Sequence, residues 1–407
     1  MVRIKIKIVL IIESMFYFGC ANKNIVSSHN HVQMVRFKNM PIIGRTQSGQ
    51  DIHLGGLSSL VLLPSASTSS VLQFVSLTDR GPNGAAIKRT NKKPKTVRPF
   101  LLPKIAPSLI YFEYDQLQSS VQVTKTLRLL DPNGQLLTGL PPVSQNKNIK
   151  LEGAVDEQGH DLLGDLLGID PEGLAIESDG HIWVSEEYRP GLIKFSAEGK
   201  MLAMYVPKGF YLKSELHQIE KQYGRSDFIH QILPEKLLNR KLNRGFEGVA
   251  FAGDNIILML QSPMKNDVAG DKAVRFIILN ERNKISYEVI YNLESVHADK
   301  LGDLAVSGEH ILVLEQDSKV GEDSVHKIFE VNLVNQNKEW ELVGKVLRSD
   351  LVQLGIHAFE KLEGVAISSK NEVFIVNDND FGLKEVVGKV QVDESRGTYL
   401  IRYKLSQ

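Results

Sequence analysis

Short apolar runs separated by turn-forming residues dominate the chain from about residue 33 onward. Four of these runs share one pattern, in which an acidic residue opens an apolar strand: residues 171–175 (PEGLA), 246–250 (FEGVA), 301–305 (LGDLA) and 362–366 (LEGVA). A turn rich in Gly, Asp or Asn follows, and then a second apolar strand such as residues 182–184 (IWV). Such turns between β-branched runs are typical of β-hairpins.

The recurrence of this pattern predicts a structural repeat. The four acids lie 75, 56 and 60 residues apart, a spacing that suits a four-stranded antiparallel unit with long loops. A fifth, divergent copy spans residues 56–80 and has Ser58 in the acidic position. The strand pairs expected to complete the units are residues 192–195 with 201–206, 276–279 with 287–291, 327–333 with 341–347, and 387–392 with 398–403.

A ring of such units is a β-propeller, an all-β fold that leaves few unprotected sheet edges. Five four-stranded antiparallel blades can be read from the sequence, and the pattern leaves open a sixth blade in residues 140–170. We expect the strand at residues 33–37 to join the C-terminal blade and close the ring. Residues 161–167 and 213–223 have helical patterns, and residues 88–98 have the composition of an exposed loop.

The N-terminal segment differs from the rest of the chain. Basic residues precede an apolar run at residues 8–18, which is shorter than the about 20 helical residues needed to cross a bilayer and has the pattern of a secretory signal. The run ends in a Gly-Cys pair that resembles a bacterial lipobox, so Cys20 is the candidate lipidation site. A plain signal peptide with an incidental cysteine is the alternative. The expected division is a lipoprotein-type signal peptide at 1–20, a flexible tether at 21–32 and the propeller at 33–407.

Composition narrows the classes of function. The 407 residues include 48 Lys and Arg and 48 Asp and Glu, and this balance argues against nucleic-acid binding, which needs a basic face. A single cysteine excludes a disulfide framework and a thiolate metal cluster. Together with the N-terminal signal pattern, we expect an exported monomer of the cell envelope or periplasm. Its lipid anchor is the expected contact with the membrane.

The recurring acids predict a metal site. Because the first strand of each hairpin lines the central channel of a propeller, the acids should meet at one face of the disc. Carboxylates brought this close repel each other or take up protons, and a hard cation resolves the conflict. An all-oxygen ligand set suits Ca²⁺ better than Zn²⁺. The predicted ligands are Glu172, Glu247, Asp303, Glu363, Asp378 and Asp380.

Two other readings of the acids stay open at this stage. Each acid could accept hydrogen bonds from backbone amides of the next blade and serve only to lock the ring. The Asp- and Asn-rich segment 377–380 could be an ordinary turn.

Fourteen residues after each acid lies another polar group, which a hairpin would place beside it: Glu186, Gln261, Asp317 and Asn377.

Candidate substrate and catalytic groups lie at the ends of the second strands. The segment 79–84 (DRGPNG) forms a tight turn, and the planar guanidinium of Arg80 suits a phosphate or carboxylate. The alternative for Arg80 is an internal ion pair with an aspartate between blades, and the other basic residues could be plain loop residues. The predicted substrate-binding residues are Asp79, Arg80, Asn83, Arg244 and Lys265. The predicted catalytic residues are Arg80 and the candidate general bases Glu186 and Glu187.

Longer motifs resemble one protein family. The segments are residues 79–84, 172–173 with 183–190 (WVSEEYRP), 243–248 (NRGFEG), and 361–364 (KLEG) with 377–382 (NDNDFG). Together they resemble the phytase-like family described as "esterase-like activity of phytase", in order across about residues 50–385. One departure is Gln316, where the family commonly has Arg. The resemblance implies a secreted or periplasmic propeller that hydrolyses phosphoesters or esters.

The predicted function is hydrolysis of a small-molecule phosphoester or carboxylic ester by a Ca²⁺-dependent propeller of the cell envelope. The alternative is a non-catalytic propeller that binds a ligand or protein partner there. A calcium-dependent lactonase-type propeller shares the geometry and would prefer uncharged cyclic esters. Nucleophile-elbow, zinc-helix and phosphate-loop motifs are absent from the sequence, so a serine-hydrolase or zinc-protease mechanism has no support.

Overall fold

The computed structural model describes residues 32–90, 92–282, 284–308, 310–336, 339–369, 371–386 and 389–405. The predicted signal peptide, most of the predicted tether and the candidate lipidation site Cys20 lie outside the described residues. The described chain is nearly all β, as the sequence predicts, and its strands form five radial sheets named blades 1 to 5.

The first three blades follow one another along the chain. Blade 1 consists of Val61–Leu62, Val71–Leu77, Ser108–Asp115 and Ser120–Arg128. Blade 2 consists of Pro171–Ile176, Ile182–Glu186, Gly191–Phe195, Met201–Pro207 and a fifth, parallel strand Ile229–Leu233. Blade 3 consists of Phe246–Ala252, Asn255–Leu260, Ala273–Asn280 and Ile285–Asn292.

The last two blades complete the ring. Blade 4 consists of Lys300–Ser307, His310–Gln316, His326–Gln336 and Glu339–Asp350. Blade 5 consists of Leu362–Ile367, Glu372–Asn377, Tyr399–Lys404 and the N-terminal strand Gln33–Arg36. The first strand of each blade contacts its counterparts in the two neighbouring blades, so five inner strands surround one axis.

Closure of the ring follows the sequence prediction. Gln33–Arg36 pairs antiparallel with Tyr399–Lys404, with Gln33 opposite Arg402. The predicted use of residues 387–392 in this blade is wrong. Tyr399–Lys404 instead pairs directly with Glu372–Asn377, and the intervening chain forms a separate hairpin. That hairpin consists of Leu383–Val386 and Lys389–Val392.

Residues 140–170 do not form a sixth blade. Within the described ranges they contribute two short strands to a small mixed sheet, here called the insert sheet, and Asp161–Leu162 is one of these strands instead of the start of the predicted helix. The segment predicted as an exposed loop supplies two others. The insert sheet consists of Ile87–Lys88, Thr96–Pro99, Gly153–Val155 and Asp161–Leu162.

The remaining elements lie outside the five blades and the insert sheet. Ile42–Arg45 and Asp51–His53 form a hairpin. The predicted helix is present as Lys213–Tyr223, and Gly224 ends it in a left-handed conformation. Short 3₁₀ turns occur at Pro64–Ala66, Glu235–Asn239 and Asp380–Gly382. No helix in the described ranges has the length and apolar character needed to cross a membrane.

A β-bulge at the start of the inner strand sets the position of the acids. In blade 2, Pro171 pairs with Glu186 and Gly173 pairs with Ser185, so Glu172 has no partner across the hairpin. Glu247 and Glu363 occupy the same extra position in blades 3 and 5. A bulge interrupts strand pairing and redirects a side chain. The bulges therefore leave three sequence-distant glutamates unpaired across their hairpins, at the same end of the channel.

Candidate active site at the channel mouth

A polar cavity of about 240 Å³ lies where the inner strands begin. This channel mouth contrasts with another cavity along the inner strands, where apolar residues such as Leu174, Val249, Leu304 and Val365 converge. The charged groups are therefore concentrated at one end of the disc. Nine residues predicted for the site line the channel mouth: Asp79, Arg80, Asn83, Glu172, Glu187, Arg244, Glu363, Asp378 and Asp380.

Glu172, Glu247 and Glu363 form a buried group, here called the acid triad. One carboxylate oxygen from each lies within 4.8 Å of the others. Ca²⁺ binds oxygen at about 2.3–2.6 Å, so two ligands on opposite sides of one ion lie about 4.6–5.2 Å apart. Oxygens no farther apart than this limit can bind one calcium ion together.

Burial and mutual repulsion disfavour ionisation of the triad. Burial raises the pKa of Glu172 well above its ordinary value, and the carboxyls of Glu247 and Asp170 raise it further. Burial likewise raises the pKa of Glu247, with Glu363 adding to the effect. The pKa of Glu363 is raised by burial too, although Lys361 and Lys300 oppose the change. The triad lacks enough positive charge to be stable as three carboxylates.

Hydrogen bonding leaves part of this group unsatisfied. Gln261 Nε2 donates to Glu247 Oε1 at 2.7 Å, as the predicted pairing across the hairpin requires. Glu247 Oε2 and Gln261 Oε1 are both buried and have no hydrogen-bond partner in the part of the chain that the structure describes. Buried polar atoms are rarely left in this state, and each such case needs an explanation. These two oxygens are available as ligands for a cation.

A second acid group shares Glu172 with the triad. Oxygens of Asp170, Glu172 and Glu187 also lie within 4.8 Å of one another. Here the guanidinium of Arg80 supplies the positive charge, because Nη2 lies 2.9 Å from Glu187 Oε2 and forms an ion pair with Asp170. Arg80 Nη1 contacts Glu152, which directly precedes the insert-sheet strand Gly153–Val155, at 2.5 Å. The structure thus shows the internal-pair alternative for Arg80, which joins blade 1 to blade 2.

Asp79 and Asp378 form a further pair of buried acids at the mouth. Burial and the neighbouring Asp378 raise the pKa of Asp79 to about 7. Burial also raises the pKa of Asp378 to about 7, although Lys361 donates to its Oδ2 at 2.7 Å. Lys361 also donates to Asp380 at 2.6 Å. The pair can therefore gain or lose a proton near neutral pH.

Three predicted residues lie away from the channel mouth. The Glu186 carboxylate pairs with Arg189 at 2.8 Å inside blade 2, and Lys265 lies exposed in a loop. Asp303 Oδ1 accepts from the amide of Leu304 at 2.7 Å, and its Oδ2 accepts from the amide of Val365 at 2.8 Å. Asp303 therefore ties blade 4 to blade 5, as the locking alternative describes.

The sequence of blade 4 explains the position of Asp303. In its pattern LGDLA the glycine precedes the acid, so Gly302 occupies the position of the other blades' glutamates. A one-residue slip in a strand turns a side chain to the other face. A Cβ at residue 302 would lie 2.6 Å from Gln316 Nε2. Gln316 fills that space and donates to the carbonyl of Leu362 at 3.1 Å.

Basic residues missed by the sequence analysis complete the channel mouth. Lys300 and Lys361 lie two residues before Gly302 and Glu363, and Asp170 lies two residues before Glu172. The position two residues before the acid, or before the glycine that replaces it, is charged in three blades, and this recurrence is a signal that the sequence analysis overlooked. Arg98 comes from the insert sheet and Glu152 directly precedes its strand Gly153–Val155, and their approach to the channel has no local signal in the sequence.

The positive groups differ in their availability. Among the described residues, no hydrogen bond or ion pair engages the ammonium group of Lys300, which is buried at the channel mouth. Within the described ranges, the guanidinium of Arg244 hydrogen bonds only to the adjacent carbonyl of Asn243, at 3.2 Å. Arg98 is held by Glu152 at 3.2 Å. Lys300 and Arg244 can therefore bind an incoming anion without breaking an existing ion pair.

Comparison with known proteins supports the family resemblance. The sequence model of the phytase-like family, described as "esterase-like activity of phytase", matches residues 52–381. A curated relative from Arthroderma benhamiae, described as an uncharacterized secreted protein, is 30% identical over 179 residues. That match covers 38% of this chain and 33% of the relative, so the chain spans about one third of the relative's length.

Two solved structures illustrate the low sequence identity and TM-score of the structural matches. A Thermus thermophilus protein described as an oxidoreductase (glucose dehydrogenase) is 10% identical, with a TM-score of 0.35 over 91% of this chain and 99% of that one. A gluconolactonase from Xanthomonas campestris is 9% identical, with a TM-score of 0.32 over 82% of this chain and 90% of that one. Similarity at this level indicates nothing about the activity of this chain.

Proposed function

The chain belongs to the phytase-like family, and we propose that it is an exported, metal-dependent hydrolase that cleaves an ester bond at the channel mouth. Ca²⁺ is the proposed metal, with Glu172, Glu247 and Glu363 as its protein ligands. A phosphoester is the preferred substrate class, and a carboxylic ester is the second. The family description supports ester hydrolysis in general, and the remaining parts of the proposal rest on the geometry of the site.

The proposal depends on one observation, which is a difference in charge neutralisation between the two acid groups that share Glu172. Arg80 neutralises the group formed with Asp170 and Glu187. Among the described residues, no guanidinium forms an ion pair with the acid triad, and Glu247 Oε2 is buried without a hydrogen-bond partner. A cation bound at the triad would do there what Arg80 does in the neighbouring group.

The residues present fit a hard divalent cation. The available ligand atoms are all oxygens, from the three glutamates and the side-chain carbonyl of Gln261. Oxygen ligands at this spacing suit Ca²⁺ better than metals that prefer imidazole or thiolate. A cation bound there supplies Lewis-acid polarisation of the substrate oxygen and lowers the pKa of a bound water.

The chain's own groups would orient the substrate. Lys300 and Arg244 face the cavity with free donors, and Lys361 and Arg98 add positive charge beside them. With Arg80, five basic side chains line this small cavity, and they favour an anionic phosphoester over an uncharged ester. Asp380, held by Lys361 and by Arg396 at 3.0 Å, fixes the position of the lysine.

Asp79 and Asp378 are the proposed proton-transfer groups, replacing the glutamates predicted from the sequence. Glu186 lies inside blade 2, and the Glu187 carboxylate is engaged by Arg80. The pKa values of Asp79 and Asp378, both raised to about 7, suit a group that accepts a proton from water and returns it to a leaving group.

Export and lipid attachment form a separate part of the proposal. The N-terminal pattern of a secretory signal and the description of the Arthroderma benhamiae relative as a secreted protein support export. The Gly-Cys pair supports lipidation at Cys20 and retention in a bacterial envelope. Fractionation of cells that express wild type or Cys20→Ser tests this. We expect wild type in the membrane fraction and the variant in the soluble exported fraction.

The experiment that tests the function is a panel of phosphoesters and carboxylic esters assayed with purified protein, with Ca²⁺ and with a chelator. We expect phosphoester hydrolysis that requires Ca²⁺. Hydrolysis of carboxylic esters alone would move the assignment to the second substrate class. Absence of all hydrolysis by folded, Ca²⁺-loaded protein would favour the non-catalytic binding module.

A further inference from the structure

A second cavity, of about 560 Å³, adjoins the channel mouth and is mainly apolar. Blade 1, the first hairpin and the loop at residues 101–107 surround this space, here called the apolar cavity. Its volume lies within the range of about 300–1,000 Å³ typical of small-molecule sites. Its apolar walls include Ile43, Leu54, Leu101, Leu102, Ile105 and Phe381.

The apolar cavity shares a wall with the channel mouth. Asp79 lines both spaces. Asp380 lines the mouth and Phe381, the next residue, lines the apolar cavity. Both have left-handed φ angles, 49° and 55°, which are uncommon for residues other than glycine. This turn therefore presents its charged and apolar side chains to different spaces.

The charged residues of the apolar cavity differ between its solvent side and the side that it shares with the channel mouth. Its basic lining residues, Arg45, Lys104 and Arg128, are exposed to solvent. Asp79, at the side shared with the channel mouth, is buried and has a pKa raised to about 7 by burial and by Asp378. Between these ends the walls are mostly hydrocarbon. A bound molecule would therefore be apolar in its middle and would have one end beside Asp79.

We propose that the apolar cavity binds the alkyl or aryl group of an amphiphilic ester whose reacting group lies at the channel mouth. This inference rests on the proposed function and adds the substrate class, an ester with a sizeable apolar substituent. The shared lining residue Asp79 supports it, because the two spaces lie on either side of this one residue.

Non-hydrolysable alkyl phosphonates of increasing chain length test the inference by calorimetric titration of Ca²⁺-loaded protein. Each buried methylene tightens binding about fourfold, the equivalent of about 0.8 kcal/mol. We expect the Kd of hexyl phosphonate to be at least tenfold below that of propyl phosphonate. Ile105→Asp should abolish this difference. Leu136→Asp, at a wall position that is 44% exposed, should reduce it and covers the case in which Ile105→Asp fails to fold.

Leu163→Asp is the matched control, because Leu163 is 91% exposed and does not line the apolar cavity. It should retain the chain-length dependence of wild type. Equal affinity for all chain lengths, or a dependence that survives in folded Ile105→Asp and Leu136→Asp, would overturn the inference while leaving hydrolysis of short esters intact. Chain-length-dependent binding without hydrolysis of any ester would support the cavity assignment and reject the proposed hydrolase.

Discussion

Gln261 Nε2 donates a 2.7 Å hydrogen bond to Glu247 Oε1, and the second oxygen of this buried carboxylate has no hydrogen-bond partner among the described residues. The amide therefore fixes the orientation of Glu247 but leaves its second oxygen without a hydrogen bond. Glu172 and Glu363 each offer an oxygen within 4.8 Å of an oxygen of Glu247. A bound cation would account for all three side chains together.

The Asp303→Asn substitution tests whether Asp303 locks two blades together or binds the metal. The carboxylate of Asp303 accepts from two backbone amides with two different oxygens, and asparagine has only one oxygen. We expect the free energy of unfolding to fall by about 1–3 kcal/mol in denaturant titrations. The Kd for Ca²⁺ should stay within about twofold of wild type in calorimetry. A tenfold weaker Kd in the folded variant would instead identify Asp303 as a ligand.

Arg80→Ala should destabilise the protein strongly. The change leaves Asp170, Glu187 and Glu152 without their shared guanidinium, and loss of one partner from a buried ion pair costs about 3–5 kcal/mol. Denaturant unfolding in saturating Ca²⁺ measures this cost. Arg225→Ala, which removes an exposed pair with Asp227, is the control and should cost less than about 1 kcal/mol. Equal costs for the two variants would contradict the role of Arg80 in joining the blades.

The metal-free protein should lose stability as the pH rises. Burial raises the pKa of Glu172, Glu247 and Glu363 in the folded state, so the folded protein binds more protons than the unfolded chain above about pH 4.5. The stabilisation is present below the unfolded-state pKa and is lost as pH rises through the folded-state values. We expect the melting temperature in chelator to fall between pH 5 and pH 8.

Ca²⁺ should reverse this trend. Because the cation binds carboxylates and not carboxylic acids, the increase in melting temperature on adding Ca²⁺ should be larger at pH 8 than at pH 5. Glu172→Gln/Glu363→Gln should weaken the pH dependence of the metal-free protein. A melting temperature in chelator that rises steadily to pH 8 would contradict the charge assignment of the triad.

The pH dependence of hydrolysis tests the proton-transfer pair. Asp79 and Asp378 have pKa values of about 7, so kcat/KM should fall as pH drops below about 7 and the base becomes protonated. Asp378→Asn should reduce kcat/KM by at least tenfold and remove this limb of the profile. Asp254→Asn, at a side chain that is 69% exposed, is the control. An unchanged profile in Asp378→Asn would assign proton transfer to another group.

The repeat and its closure could be predicted because they depend on local patterns. Alternating apolar runs and turn residues set the blades, and the apolar strand at the start of the described chain closes blade 5. The insert sheet could not be predicted in this way. Its parallel pairing of Gly153–Val155 with Thr96–Pro99 joins distant segments, and neither segment has a repeat signal.

The acids of the site were predictable in part. The repeated pattern of an acid, a glycine and an apolar pair identified Glu172, Glu247 and Glu363, and each of them occupies the extra position of the same bulge. Asp303 was misplaced because a one-residue change of order in LGDLA reverses the face of the strand. Arg80 could not be assigned either, because its partners Asp170 and Glu152 come from two other elements of the structure.

Calorimetric titration of Ca²⁺ into chelator-treated protein is the most direct test of the metal site. Wild type should bind at the acid triad, and Glu172→Gln/Glu363→Gln should lower the affinity by at least a hundredfold and abolish hydrolysis. The control pair Glu220→Gln/Asp254→Asn changes two exposed acids and should bind as wild type does. Full activity in chelator, with no heat of Ca²⁺ binding and no effect of the triad substitutions, would contradict the account.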